Sequence, residues 1–155
     1  MSSDILIRNA KISDAQGISS LIDLFARKGI MLPKPVDTII EGIRNFIIAL
    51  HKDEIIGCCA IAFFSQEIAE VRSLAVREDF QKRGVGRLMV EKAEEILREE
   101  GIMTAFALTY SDHFFENLGY SRVDKMKFPQ KIWLDCMGCP KLIQCDEVAM
   151  EKELA

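Results

Sequence analysis

The run Ile55-Ile56-Gly57-Cys58-Cys59-Ala60-Ile61-Ala62-Phe63-Phe64 contains no charge and no strong hydrogen-bonding side chain. A strand that is apolar at consecutive positions must be covered on both faces, which predicts a central strand between layers of helix. The neighbouring segments supply those layers. Ala15, Ile18, Leu21, Ile22 and Phe25 recur at helical spacing, after a capping box at Ser13-Asp14-Ala15-Gln16 and before Gly29. Val85, Leu88, Met89, Ala93, Ile96 and Leu97 form a second apolar stripe ending at Gly101, with Glu91, Glu94, Glu95, Arg98 and Glu99 on its wet face. Strands are predicted at Ile5 to Arg8, Phe46 to Leu50, Ile55 to Phe64, Ile68 to Val76, Met103 to Thr109 and Tyr120 to Val123. Lys52-Asp53-Glu54 is a turn, Gly29 to Pro35 a rigid loop, Val36 to about Arg44 a short helix and His113 to Leu118 another. The tail Glu147-Val148-Ala149-Met150 predicts an edge strand. The order β-α-α-β-β-β-α-β-α-β describes an α/β layered domain with a mixed sheet, and 155 residues suit one domain, 1–155.

Composition removes several function classes. Lys and Arg total 20 against 24 for Asp and Glu, and no basic stripe offsets the net charge of −4. That balance argues against general nucleic-acid or anionic-membrane binding. No apolar run reaches the roughly 18 residues that span a bilayer. Met1-Ser2-Ser3-Asp4-Ile5 lacks the features of a signal peptide, so a cytoplasmic location is expected. Cys58 and Cys59 read as small buried hydrophobes. Cys136, Cys139 and Cys145 form a C-x2-C-x5-C group beside Trp133, a packing anchor, and the tight turn Gly138-Cys139-Pro140. Zinc, with His113 or Asp146 as fourth ligand, is the less favoured reading; three thiols are one ligand short, and a reduced thiol cluster is favoured.

The chemistry concentrates in Val71-Arg72-Ser73-Leu74-Ala75-Val76-Arg77-Glu78-Asp79-Phe80-Gln81-Lys82-Arg83-Gly84-Val85-Gly86-Arg87-Leu88. A strand enters a charged loop, then two glycines one residue apart, then a helix. Helix-start amides have no intrahelical acceptor, and the macrodipole adds positive potential there. Gly84 and Gly86 would let a pyrophosphate approach the backbone, with Lys82, Arg83 and Arg87 as point charges beside it. The plainer reading is a glycine-softened loop that merely starts a helix. Neither the Gly-x4-Gly-Lys-[Ser/Thr] loop nor Gly-x-Gly-x-x-Gly is present, since position 89 is Met.

Gln81-x-x-Gly84-x-Gly86 after a strand ending Leu74-Ala75-Val76 resembles the acetyl-CoA signature of the GCN5-related N-acetyltransferases. The resemblance continues through Leu108-Thr109 and His113-Phe114-Phe115-Glu116-Asn117-Leu118-Gly119-Tyr120. It covers essentially the whole chain, and implies this family's fold: a mixed, mostly antiparallel sheet flanked by helices. Gly29 to Lys34, Ala107 to Thr109, His113 to Tyr120 and Pro129-x-Lys131 resemble, more narrowly, the acetyltransferase domain of bacterial N-acetylglutamate synthases in a stand-alone form.

The resemblance implies direct acetyl transfer from acetyl-CoA to a small-molecule amine, with the α-amino group of L-glutamate foremost. Gln81, Lys82, Arg83, Gly84, Val85, Gly86 and Arg87 would hold the pyrophosphate. Leu74, Ala75 and Val76 match the positions that pair with the pantetheine arm and supply an oxyanion amide after a local bulge. Glu70 stands where the family often places its base, with Glu67 the weaker candidate. The family's usual thiol-protonating Tyr is replaced by Phe115, leaving Tyr110, Ser111 and His113 nearby, His113 as a proton shuttle. Two substrate carboxylates call for cations: Arg72 and Lys34, with Arg27 and Lys127 in reserve and Ser73 and Thr109 as hydroxyl donors. Each has a plainer reading as a surface charge or a locally bonded strand residue. The family commonly forms homodimers. Two alternatives remain: transfer to another amine (a different amino acid, a polyamine or a protein N-terminus), or acyl-CoA sensing without turnover.

Overall fold

The structure, a computed structural model, describes residues 4–128 and 147–154. The chain divides into two compact units, Met1–Ala62 with Val71–Ile96, and Phe63–Glu70 with Leu97–Ala155.

In the first unit the strand order is β1-β2-β3-β4. β1 (Ile5–Asn9) runs antiparallel to β2 (Phe46–His51), from Ile5 opposite His51 to Asn9 opposite Ile47. β2 runs antiparallel to β3 (Glu54–Phe63), with a register shift at Ala49 and Leu50. Lys52 and Asp53 join them, both with left-handed backbones, φ 51° and 66°. Two consecutive left-handed residues match the twist of an antiparallel pair. The apolar run is covered as expected, with Ile56 to Ile61 all buried. Its two cysteines divide the coverage. Cys58 joins a cluster with Ala15, Ile18, Leu21 and Ile22 of α1 (Ala15–Ala26) and Ile39 of α2 (Val36–Glu41). Cys59 turns its thiol to the Met89 carbonyl of α3 (Val85–Glu99), 4.0 Å away. Alternation along the strand sends adjacent residues to opposite layers.

Three expectations are corrected here. α1 has no side-chain cap, because a 3-10 turn at Ile12–Asp14 precedes it and takes Ser13 into the turn. Gln16 donates forward along the helix to Ser20 Oγ at 3.2 Å. The segment from Val36 stops being α-helical at Glu41 and passes through a 3-10 turn at Ile43–Asn45. Glu94 is buried, 3% exposed, because it lies four residues after Val90 and three before Leu97 on the covered face of α3.

The second unit, from Phe63, takes in the first three residues of β4 (Ile68–Val76). Ile68, Ala69 and Glu70 pair in parallel with Thr104, Ala105 and Phe106 of β5 (Thr104–Thr109). β7 (Val148–Glu153) is antiparallel to β5 and to β6 (Ser121–Val123), giving the order β4-β5-β7-β6. The tail strand is therefore internal rather than an edge; β6 takes the edge. α4 (Asp112–Asn117) precedes β6. Phe106, Phe128 and Ala149 form this unit's buried cluster, with the Phe106 and Phe128 rings stacked at 4.0 Å. One parallel pairing among antiparallel ones makes the sheet mixed and mostly antiparallel.

Asp14 closes the entry to α1. Its carboxylate accepts from Arg8 at 2.9 Å and from the Lys11 amide at 2.7 Å. The Arg8 hydrogen bond holds its pKa below the ordinary carboxylate range, against the opposing effect of burial. A carboxylate depressed in the folded state adds stability above its unfolded pKa and loses it as pH falls through the folded value. Asp14→Ala should cost about 1 kcal/mol at pH 7 in urea denaturation. The difference from wild type should shrink as pH drops below about 4.

Candidate active site

Within the first unit, β4 ends at Val76 and the chain turns sharply. The Arg77 amide donates to the Ile56 carbonyl at 2.8 Å, keeping the exit against β3. A 3-10 turn at Glu78–Phe80 follows, with Phe80 buried and its ring 4.9 Å from that of His51. Arg77 binds Asp79 at 2.8 and 3.0 Å and Glu54 at 3.1 Å. These bonds, Asp79 first, raise its pKa further and keep it charged. Lys28 pairs with Glu78. Gln81 Nε2 donates to the Val76 carbonyl at 2.8 Å, tying the far side of the turn to the strand end.

Lys82 and Gly84 then take left-handed backbones, φ 63° and 84°. A Cβ on Gly84 would meet nothing within 4 Å, so the dihedral and not crowding favours glycine there. A side chain in that conformation costs roughly 1–2 kcal/mol. The first backbone bond of α3 runs from Leu88 to the Gly84 carbonyl at 3.1 Å. The amides of Val85, Gly86 and Arg87 therefore precede the intrahelical ladder, at the positive end of a 15-residue helix. Lys82 and Arg83 are exposed, Arg83 with its guanidinium 5.2 Å from the Phe80 ring. Arg87 pairs one turn along with Glu91 at 3.2 Å.

Upstream, Ser73 interrupts β4 with φ 55°, a left-handed residue inside a strand. Its carbonyl accepts from Cys58 Sγ at 3.4 Å. Ala75 is buried, and Leu74 and Val76 are half-buried. The loop before α2 reaches the same neighbourhood. Ser19 Oγ holds the Lys34 carbonyl at 2.7 Å, and Met31 and Val36 pack on the cluster that contains Cys58 and Ala75. Burial pushes the Cys58 thiol up to about 12, and the Ala75 backbone and the charge of Lys34 act in the opposite direction. The loop that carries Lys34 thus packs on the layer in which Cys58 reaches Ser73. Arg72, adjacent to Ser73, is half-buried and engaged in an interaction of its own. Arg27 is exposed at the end of α1.

The remaining candidates belong to the second unit. Glu70 is 2% exposed, opposite Phe106, and has a partner. Glu67 is exposed in the turn before β4. Thr109 is buried, and its Oγ1 accepts from the Ser111 amide at 2.7 Å. The His113 side chain is 93% exposed, with Nδ1 3.2 Å from Glu116. Phe115 is buried between Phe114 and Tyr120, both edge-on at 5.1 Å. Tyr110 is exposed. Lys127 pairs with Glu151 at 2.7 Å. Cys136, Cys139 and Cys145, with Trp133 and Lys131, lie outside the described residues. Two features were not anticipated from sequence: the Arg77 ion-pair network and the Cys58 to Ser73 bond. Arg77, just past the end of β4, reaches back to Glu54 of β3, and Cys58 and Ser73 sit on β3 and β4, so both depend on pairing between segments distant in sequence.

A strand with a left-handed step before its end leads through a tethered turn into a helix start whose first amides lie outside the intrahelical ladder. Residues 24–120 match the acetyltransferase (GNAT) family. The chain is 52% identical to an N-acetyltransferase of Chlorobaculum tepidum over 97% of each chain. It is 29% identical to an amino-acid acetyltransferase of Mycobacterium tuberculosis over 77% of this chain and 70% of the other. Among solved structures, a Mycobacterium tuberculosis protein in complex with CoA superposes with a TM-score of 0.84 at 24% identity, over 97% of this chain and 99% of that one. The N-acetylglutamate synthase of Neisseria gonorrhoeae, complexed with coenzyme A and N-acetyl-glutamate, gives 0.85 at 22%, over 97% of this chain but 35% of that one. The chain belongs to the GNAT family of acetyltransferases. It is an N-acetyltransferase, and acetyl-CoA is the co-substrate of that reaction. No helix among the described residues is long and apolar enough to cross a membrane.

Gly86→Trp places an indole at the helix start. Calorimetry should show no acetyl-CoA binding by a variant that still unfolds cooperatively; unchanged affinity would reject the helix start as the diphosphate site.

Proposed function

We propose that this N-acetyltransferase acts on a free amino acid, with the α-amino group of L-glutamate as acceptor, as a single cytoplasmic domain serving arginine biosynthesis. The observation that carries the reading is that the loop bearing Lys34 is anchored by Ser19 and packs, through Met31 and Val36, on the cluster of Cys58 and Ala75, whose strand β4 also carries Arg72. Two carboxylates on one small substrate require such a pair of cations. The amino-acid acetyltransferase relative and the N-acetylglutamate synthase fold neighbour support the same substrate class.

In this reading the first-turn amides of α3 bind the pyrophosphate, helped by Lys82, Arg83 and Arg87, and the pantetheine arm pairs along Leu74 to Val76. A backbone amide of that stretch stabilises the oxyanion formed at the thioester carbonyl. Glu70 accepts the proton of the substrate ammonium, directly or through water, freeing the nitrogen lone pair. The nitrogen attacks the carbonyl carbon and gives up its surplus proton to water, the carbon–sulfur bond breaks, and the electron pair leaves on coenzyme A sulfur. With Phe115 enclosed by aromatic rings, the sulfur departs as thiolate or takes its proton from Tyr110, Ser111 or His113.

Thiol release from acetyl-CoA against a panel of amines tests the acceptor. Glutamate-dependent release supports the glutamate reading; release only with another amine moves the acceptor to that amine. Glu70→Gln should lower kcat by roughly 10²–10⁴. Arg72→Ala should raise KM for glutamate at least about tenfold, as expected for loss of a charge-assisted contact, with KM for acetyl-CoA nearly unchanged. Equal effects on both KM values would reject its role.

A further inference from the structure

We propose that Cys58 is a positioning residue for acetyl transfer: its thiol holds the Ser73 carbonyl, and so the left-handed step of β4 that directs the following amides toward the thioester oxygen. The inference rests on the reading of Leu74 to Val76 as the oxyanion-binding stretch.

Ser73 is not glycine, yet it takes φ 55°. A serine holds that conformation only where its surroundings fix it. Its carbonyl accepts the Cys58 thiol at 3.4 Å, and Cys58 is fully buried, so water does not stand in for the thiol. Burial raises the thiol pKa to about 12, which keeps it protonated and able to donate at neutral pH. The adjacent strand is set close. A Cβ on Gly57 would lie 3.4 Å from the Ala75 carbonyl of β4. A Cys58 side chain in the α1 layer therefore reaches β4 at the residue where the strand bends, and every amide from Leu74 onward inherits that bend.

Cys59 is the internal control. It is equally buried and chemically identical, but its thiol faces Met89 of α3. Removing the Cys58 donor should loosen the bend and lower kcat roughly three- to tenfold, the effect of one neutral hydrogen bond. KM for the amine should not change. Coenzyme A lacks the thioester carbonyl, so its affinity should be unaffected while the affinity for acetyl-CoA falls toward it.

The experiment compares Cys58→Ala, Cys58→Ser and Cys59→Ala for kcat, both KM values and the ratio of acetyl-CoA to coenzyme A affinity. Cys58→Ser should approach wild type, because a hydroxyl restores the donor, and Cys59→Ala should match wild type in that ratio. Wild-type kcat and ratio in Cys58→Ala, or Cys58→Ser as impaired as Cys58→Ala, overturns the proposal. So does an equal loss in Cys59→Ala. Because Cys58→Ala also opens a small cavity, the comparison is repeated on Ser73→Gly, where glycine adopts the left-handed backbone without help. There the Cys58→Ala penalty should shrink; an undiminished penalty contradicts the role. If the wild type transfers acetyl to no amine, the turnover reading fails and the affinity ratio alone decides the role of Cys58.

Discussion

An α-helix begins with amides that have no carbonyl to bond, and in α3 these fall at Val85, Gly86 and Arg87. Their usefulness depends on where the preceding chain goes. A loop folding back over the helix start would fill them with its own carbonyls or side chains. Here Lys82 and Gly84 turn left-handed and lead the chain away, while Gln81 returns to Val76 and Arg77 binds Glu54 and Asp79. The turn is braced from its flanks, by bonds that leave the Val85, Gly86 and Arg87 amides out of the intrahelical ladder.

The same economy shapes β4. A strand fully paired on both sides would spend its amides on its neighbours. A left-handed Ser73 breaks the extended run before the segment assigned to the thioester, and a buried thiol supports the break. β3 makes this support available because it is covered twice, sending Cys58 into the α1 layer and Cys59 toward α3. Apolar coverage, usually an argument about stability, here also fixes which side chain can reach the bend.

Much of this was legible from residues alone. The apolar run from Ile55 announced a doubly covered strand, and Ile68 to Val76 matched its strand end to end, with apolar residues recurring among Glu70, Arg72 and Ser73. The turn with its glycines marked the helix start. What escaped detection depended on long-range pairing. Nothing local distinguishes an internal tail strand from an edge one; only the pairing of β7 with both β5 and β6 makes it internal. Ser13 has the chemistry of a cap, but the 3-10 turn around it is set by the Arg8–Asp14 pair, which joins β1 to the helix entry. Glu94 has the chemistry of a wet face, but its neighbours Val90 and Leu97 carry it inward.

The central claim is that the α3 amides hold a diphosphate and so aim a thioester along β4. Titration of acetyl-CoA into ¹⁵N-labelled protein, followed by amide NMR, tests it most directly. The account predicts the largest shifts at Gly84 to Arg87, reproduced by coenzyme A, with shifts at Leu74 to Val76 that are larger for acetyl-CoA. Saturable binding that leaves Gly84 to Arg87 unmoved while amides elsewhere respond would contradict it.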